Sequence, residues 1–347
     1  MNSPFVFASA LLEWYDQFGR KDLPWQQQPT PYHVWLSEIM LQQTQVTTVI
    51  DYYLRFTQRF ATIEQLAAAS QDEVLSYWSG LGYYARARNL HKTAQIIVAE
   101  YHGQMPDNLE QLISLPGIGR STAGAIMALA HHQRYPILDG NVKRVLTRFF
   151  AVDGWPGNAR VEKQLWQYAD DLLPKKRIAN YIQAQMDLGA TLCTRTRPEC
   201  QRCPLQSHCQ AYQLGRQTDF PTKKPKTALP HRHIHWLVLE NMQGEILLQQ
   251  RPQQGIWGGL WSFPETDVAD TITQQCQHSW QQHVESHTLL PPFQHVFSHY
   301  KLTIHPHLLR CQPQAIAETE RGDWYTIEDA LRLGLPAPVK SFLTSLH

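Results

Sequence analysis

Four of the six cysteines fall within seventeen residues, Cys193, Cys200, Cys203 and Cys209, in the spacing C-x6-C-x2-C-x5-C. Thiolates grouped so tightly in an otherwise cysteine-poor chain are suited to hold a metal centre. Disulfides are the first rival, but the surrounding sequence carries no secretory apolar core, and an intracellular chain is normally kept reduced. Zinc is the second rival. Its structural sites usually bring two close pairs across a longer loop, and here there is one C-x2-C pair. A four-thiolate iron–sulfur cluster suits the set better, yet the spacing follows neither ferredoxin pattern, so thiolate chemistry alone leaves zinc open.

Two carboxylates are the second group. Glu38 lies in Trp35-Leu36-Ser37-Glu38-Ile39-Met40-Leu41-Gln42-Gln43-Thr44-Gln45, an otherwise apolar helical stretch. Asp139 lies in Leu138-Asp139-Gly140-Asn141-Val142, ahead of a helical pattern, where the simplest role of an aspartate is to cap. As a pair they suit cleavage of a glycosidic bond, one acid assisting the leaving group and one carboxylate stabilising an oxocarbenium-like centre. Whether they meet is a question for the fold.

The third group is Leu115-Pro116-Gly117-Ile118-Gly119-Arg120-Ser121-Thr122-Ala123. Proline stops one helix, Gly117 and Gly119 permit a tight turn, and the next helix begins with free N–H groups that attract an anion. The string resembles the helix-hairpin-helix motif of DNA repair enzymes, whose phosphate contacts position a protein on DNA without reading sequence.

Positioning these groups requires a helical scaffold over residues 1–213. Apolar residues recur at three- and four-residue spacing in Ala8–Phe18, Val34–Phe56, Ile63–Ala69, Asp72–Trp78, Ala85–Tyr101, Leu109–Leu115, Ser121–Ala130 and Val142–Phe149. Residues 214–230 are polar, basic and rich in proline, and read as a linker. Beyond it, alternating runs at His233–Leu239, Glu245–Gln250 and Lys301–Leu309 predict strands of an α+β domain over 231–347.

The hairpin, the trailing aspartate and the four cysteines occur in the order of the helix-hairpin-helix endonuclease III superfamily of DNA glycosylases, over roughly residues 1–215. Residues 36–46, Gly80-Leu81-Gly82-Tyr83-Tyr84-Ala85-Arg86-Ala87-Arg88-Asn89-Leu90 and 138–145 resemble its adenine-specific, MutY-type branch. The resemblance implies a monofunctional glycosylase that removes adenine mispaired with 8-oxoguanine or guanine in duplex DNA by base flipping, with one [4Fe–4S] cluster on Cys193, Cys200, Cys203 and Cys209. Glu38 would be the general acid, and Asp139, with Asn141 beside it, would stabilise the cationic sugar. Trp25 and Gln183 would line the adenine pocket together with Ser121. Gln43, Thr44, Leu81 and Tyr83 would wedge into the duplex, as flipping requires a filler for the vacated stack. Gly117 and Gly119 would contact the backbone, and Lys143 would be a phosphate-facing cation. Bifunctional relatives carry a lysine at the position of Ser121, and a serine forms no Schiff base.

Trp257-Gly258-Gly259-Leu260-Trp261-Ser262-Phe263-Pro264 resembles the strand and loop of a MutT-like (Nudix) domain. The glutamate-rich helix that would bind a divalent metal in such hydrolases does not follow. The fold is expected without the diphosphate chemistry, and Phe297-Ser298-His299 resembles the family's lesion-sensing loop. The overall reading is a multidomain chain: an all-α glycosylase domain with a cluster, then an α+β Nudix-like domain.

The net charge of +1 divides unevenly, with 24 Lys and Arg against 19 Asp and Glu in residues 1–226 and 7 against 11 afterwards, so a polyanion should meet the first part. No apolar segment approaches a bilayer span, and the expectation is a monomeric, cytoplasmic, nucleoid-associated protein without membrane contact. A catalytically silent lesion sensor and a nucleotide diphosphate hydrolase are the competing readings. Both carboxylates argue against the first, and the missing glutamates against the second.

Overall fold

The computed structural model describes residues 6–224, 228–267, 272–280, 282–297, 299–313 and 322–346. The chain forms two compact units, one of residues 1–68 and 89–226, the other of residues 69–88 and 227–347.

The first unit is helical. Helix Pro31–Leu41 starts with proline at its first position and Thr30 accepting from the His33 N–H at 3.3 Å, and it buries Val34, Trp35, Leu36, Ser37, Ile39 and Met40. The periodicity of Val34–Phe56 predicts one helical stretch, but two helices form, Pro31–Leu41 and Val46–Arg59. The break falls on Gln42-Gln43-Thr44-Gln45, four polar residues with no core position, and Gln43 adopts a left-handed φ of 57°. Helix Arg120–Leu129 is buried continuously from Thr122 to Ala128, which small side chains make feasible. A Cβ on Gly124 would lie 2.4 Å from the Pro136 carbonyl oxygen. Helices Gly140–Phe149 and Ile178–Thr191 pack just as closely, because a Cβ on Gly189 would lie 2.6 Å from that of Asn141. Around them a core forms from Phe7, Leu11, Val142, Leu146, Tyr181, Leu188 and Leu205, extending to the cysteine segment.

Residues 214–224, read as part of a linker, are anchored to this unit. Phe220 is buried, its carbonyl accepts from Arg148 Nε at 3.0 Å, and Thr222 Oγ1 accepts from the Gly154 N–H at 3.2 Å.

The second unit holds strands β1 (His231–Glu240), β2 (Ile246–Gln250), β3 (Trp261–Ser262), β4 (Glu265–Thr266), β5 (Gln282–Leu289), β6 (Phe293–Val296), β7 (Lys301–Pro313) and β8 (Asp323–Tyr325). The sheet order is β3-β2-β1-β7-β5, with β4 on β1, β6 on β7 and β8 on β2. β1 and β7 run parallel, in register from His231 opposite Lys301 to Glu240 opposite Arg310. Leu237, Leu239, Leu309 and Cys311 point to one face and pack on Ile272, Cys276 and Trp280 of helix Ile272–Trp280, which carries no carboxylate. Residues 69–88 join this unit through polar contacts: Gln71 Nε2 to Gln253 at 2.7 Å, Gln250 Nε2 to Asp72 at 2.6 Å, Tyr84 Oη to the Leu335 carbonyl at 2.9 Å, and Arg88 Nη1 to the Gly258 carbonyl at 2.7 Å. No helix among the described residues is long and apolar enough to cross a membrane.

Candidate active site

Glu38 and Asp139, about a hundred residues apart in the chain, line one cleft of about 1030 Å³ in the helical unit. Trp25, Gln43, Thr44, Ser121, Asn141 and Gln183 line it as well. Glu38 reaches it from the middle of helix Pro31–Leu41 with the protein crowding its carboxyl, and burial, then the charge of Asp139, pushes its pKa up to about 8.

Asp139 caps helix Gly140–Phe149, its Oδ1 accepting from the Val142 N–H at 2.8 Å and its Oδ2 from the Asn141 side-chain amide at 3.1 Å. Burial raises its pKa, while those hydrogen bonds and the Arg144 guanidinium oppose the rise. Capping and a place in the cleft are therefore not alternatives for this residue. Asn141 is oriented in turn by Arg144, whose Nη2 donates to its Oδ1 at 2.9 Å and to the Gly189 carbonyl at 2.6 Å, while Nε donates to the Cys193 carbonyl at 2.7 Å.

On the far wall, Gln183 Nε2 donates to Asp187 Oδ1 at 2.9 Å. Asp187 is buried and held by Arg20, which donates from its backbone N–H at 2.7 Å and from Nε and Nη2 at 2.9 and 2.6 Å. Trp25 is buried, edge-on to Tyr53 with centroids 5.4 Å apart. Ser121 Oγ accepts from the Leu138 N–H at 3.0 Å, tying the hairpin helix to the segment before Asp139. Sequence reasoning missed Arg20, Arg144 and Asp187. A charged residue inside an apolar helix, as Asp187 is in Ile178–Thr191, was the available signal.

Gly117 and Gly119 are exposed in the turn before helix Arg120–Leu129. Gly117 has a φ of 80°, and a Cβ there would lie 2.9 Å from that of Asn89. Gly119 is the N-cap with no side-chain cap, and a Cβ there would enter open space. Lys143 is not among the cleft residues; its Nζ pairs with Glu162 Oε1 at 2.6 Å.

All four clustered cysteines line a second cavity, walled by Val145, Phe149, Leu188, Leu192 and Leu205. Arg148 is buried beside them and donates to Cys193 Sγ at 3.3 Å and to the Thr194 carbonyl at 2.7 Å. Burial pushes the Cys203 thiol up to about 12, with its three companions acting in the same direction. Among the described residues no three His, Cys, Asp or Glu side chains form a group that could hold a metal ion.

In the second unit Leu81 is buried, whereas Tyr83 is half exposed with a left-handed φ of 50°. Arg86 stacks over Tyr83 at 5.5 Å and donates to the Gly82 carbonyl at 3.0 Å. Phe297 stacks on Tyr300 at 4.5 Å and tilts against Trp257 at 5.2 Å, beside the exposed His299. Ser298 lies outside the described residues.

Residues 36–170 match the HhH-GPD superfamily of base excision DNA repair proteins, and residues 235–345 match the NUDIX domain. The adenine DNA glycosylase of Buchnera aphidicola subsp. Acyrthosiphon pisum is 38% identical over 98% of this chain and 97% of its own length. That of Homo sapiens is 36% identical over 93% of this chain and 71% of its own. Among solved structures, a thermostable thymine-DNA glycosylase superposes with a TM-score of 0.55 at 28% identity, over 60% of this chain and 95% of that one. An endonuclease III–DNA complex, at 20% identity and a TM-score of 0.52, shares the fold over the same 60%. Similarity to these enzymes over 98% of the chain, with an HhH-GPD region followed by a NUDIX domain, makes the chain a member of the adenine DNA glycosylase family.

Proposed function

We propose that this adenine DNA glycosylase acts on adenine opposite 8-oxoguanine or guanine in duplex DNA and leaves an abasic site without cutting the strand. The observation that carries the chemistry is the coupled carboxyl pair. Asp139 receives two hydrogen bonds that favour its ionised form, whereas burial and the Asp139 charge favour the neutral form of Glu38. Glu38 then holds a proton near neutral pH and delivers it to the departing base, while Asp139 faces the positive charge that develops on the sugar. Asn141 and Arg144 orient Asp139. Ser121 offers no amine, so the sugar carbon meets water and not a lysine.

The flipped base would sit against Trp25 and Gln183, and the N–H groups after Gly119, which lack a side-chain cap, would take a backbone phosphate. Gln43 and Tyr83, each in left-handed backbone within its own unit, suit contact with the duplex, since strain of this kind is stored where a side chain must be presented. Phe297, Ser298 and His299 would read the opposite base.

What supports a [4Fe–4S] cluster is that four thiols line one cavity with apolar walls and a buried arginine able to offset the negative charge of a thiolate-ligated cluster. Cys193, Cys200, Cys203 and Cys209 would hold it, and bound there it would cross-link residues 193–209, which Arg148 attaches to helix Gly140–Phe149 through Cys193 Sγ and the Thr194 carbonyl.

Single-turnover release of free adenine from duplexes that differ only in the base opposite adenine tests the reading. Release from the 8-oxoguanine and guanine duplexes with none from the adenine–thymine duplex is expected. Equal release from all three would overturn the specificity.

A further inference from the structure

The parallel register of β1 and β7 gathers histidines that look scattered in sequence. His231, His233 and His235 alternate along β1, opposite Lys301, Thr303 and His305 of β7, with His307 two residues on. His287 joins from β5. The rings are in contact: His233 Nδ1 lies 3.2 Å from His305 Nε2, His235 Nδ1 lies 2.8 Å from His307 Nε2, and His307 Nδ1 lies 2.7 Å from His287 Nε2. His231 meets Thr303 Oγ1 at 2.8 Å. His235 and His305 stack at 4.9 Å.

Each nitrogen–nitrogen contact needs one N–H and one lone pair. In the chain His235–His307–His287, two of the six ring nitrogens must stay bare, so the three rings accept one proton beyond neutrality and a second severs a contact. The pair His233–His305 obeys the same limit. Of the five linked imidazoles, at most two can be cationic while the ladder is intact.

We propose that this imidazole ladder is a proton-operated latch, closed at neutral pH and opened in mild acid, that controls the pairing of β1, β7 and β5. The groups around it do little to relieve the conflict. Asp267, following β4, favours a proton on His235, but the neighbouring rings oppose it and Lys301 adds positive charge at the exposed end. On β5, Glu285 acts on the Cys311 thiol, and on helix Ile272–Trp280 the titratable side chains are the buried Cys276 and the exposed His278. Burial, followed by His235, His287 and His305, pushes His307 down to about 4, and burial, followed by His305 and His233, lowers His235. The sign follows: the unfolded rings take protons near pH 6.5, so the stability they confer is full above that and is lost as pH falls toward 4. The ladder ends where Lys301 N–H donates to the Pro230 carbonyl at 2.8 Å, directly after Tyr300, whose carbonyl accepts from the Phe297 N–H at 2.9 Å. Opening would therefore loosen that hydrogen bond.

The test is hydrogen exchange on the full chain at pH 7.5 and 5.0, expressed as protection factors, together with NMR titration of the imidazoles. Protection of 231–239 and 301–311 should fall at least tenfold at pH 5.0, while helix Arg120–Leu129 keeps its protection. His287→Gln and the double change His235→Thr with His307→Val should each shrink that fall, and His278→Gln should not. Equal protection at both pH values, or an undiminished fall in both ladder variants, would overturn the latch. So would stoichiometric Zn²⁺ binding at pH 7.5 that leaves the rings unable to titrate, which would make the ladder a metal site.

Discussion

Glu38 carries the sharpest pH signature. Its acid form is the useful one, so the single-turnover rate should hold through neutrality and fall as pH rises through about 8. Glu38→Gln keeps the shape but has no proton to give, and excision should drop by about 10²–10⁴-fold with duplex binding retained. The same burial sets a stability effect. A carboxyl whose folded pKa is raised costs nothing below its ordinary range and destabilises progressively as pH climbs toward the folded value. Glu38→Gln should thus raise Tm relative to the parent at pH 8, by an amount corresponding to about 2–4 kcal/mol, and the difference should vanish near pH 4. A variant no more stable than the parent at pH 8 would contradict the raised pKa. Ser121→Lys tests the other half of the chemistry. It places an amine in the cleft, and borohydride should trap more protein–DNA adduct than with the parent. Because the serine hydroxyl accepts the Leu138 N–H, the change should also cost about 1–3 kcal/mol in denaturant unfolding.

At the scale of elements, the hairpin and the cysteine segment depend on different features of the same helices. Gly117 is in left-handed backbone against Asn89, so Gly117→Ala should destabilise by about 1–3 kcal/mol. Gly119 faces open space at ordinary φ, and Gly119→Ala should leave Tm nearly unchanged while weakening duplex binding, with a smaller salt slope, because a methyl group intrudes where phosphate approaches. Similar losses of stability at both positions would show that the turn, and not its anion site, is what the glycines serve. Arg148 spans helix Gly140–Phe149, the Cys193 sulfur and the carbonyls of Thr194, Arg195 and Phe220. About four iron atoms per chain are expected, and Arg148→Met should lower that number, since a buried thiolate-ligated cluster loses its nearest countercharge. Iron content unchanged in the variant, or stoichiometric zinc in the parent, would count against the assignment.

For the whole molecule, the informative cut is after Lys224, because Phe220 and Thr222 belong to the helical unit. Deleting residues 225–347 should leave a cluster-bearing protein that still excises adenine. Preference for 8-oxoguanine over guanine should fall by roughly 5- to 150-fold, the worth of a few contacts to a base. Residues 69–88 should also lose exchange protection, since Tyr84, Arg88 and Asp72 would lose their partners at Leu335, Gly258 and Gln250. Full discrimination by the truncated protein would remove the second unit from the role of reader.

Local chemistry was legible in the sequence wherever it rests on short-range pattern. Proline and glycine spacing marked the hairpin, an aspartate before an apolar period marked a cap, and alternation marked β1, β2 and β7, because steric and hydrogen-bonding limits act within a few residues. The break after Leu41 was misread, since apolar spacing on either side of Gln42–Gln45 continues one period and only the lack of a core position at those four residues separates two helices. The approach of Glu38 to Asp139, and of Arg20 to Asp187, was decided only by tertiary packing, and desolvation depends on that packing rather than on residue type. The histidines after residue 226 show the same division most plainly. Their alternation on each strand is local, but a parallel pairing across about seventy residues sets which rings touch, and no short-range rule chooses that register.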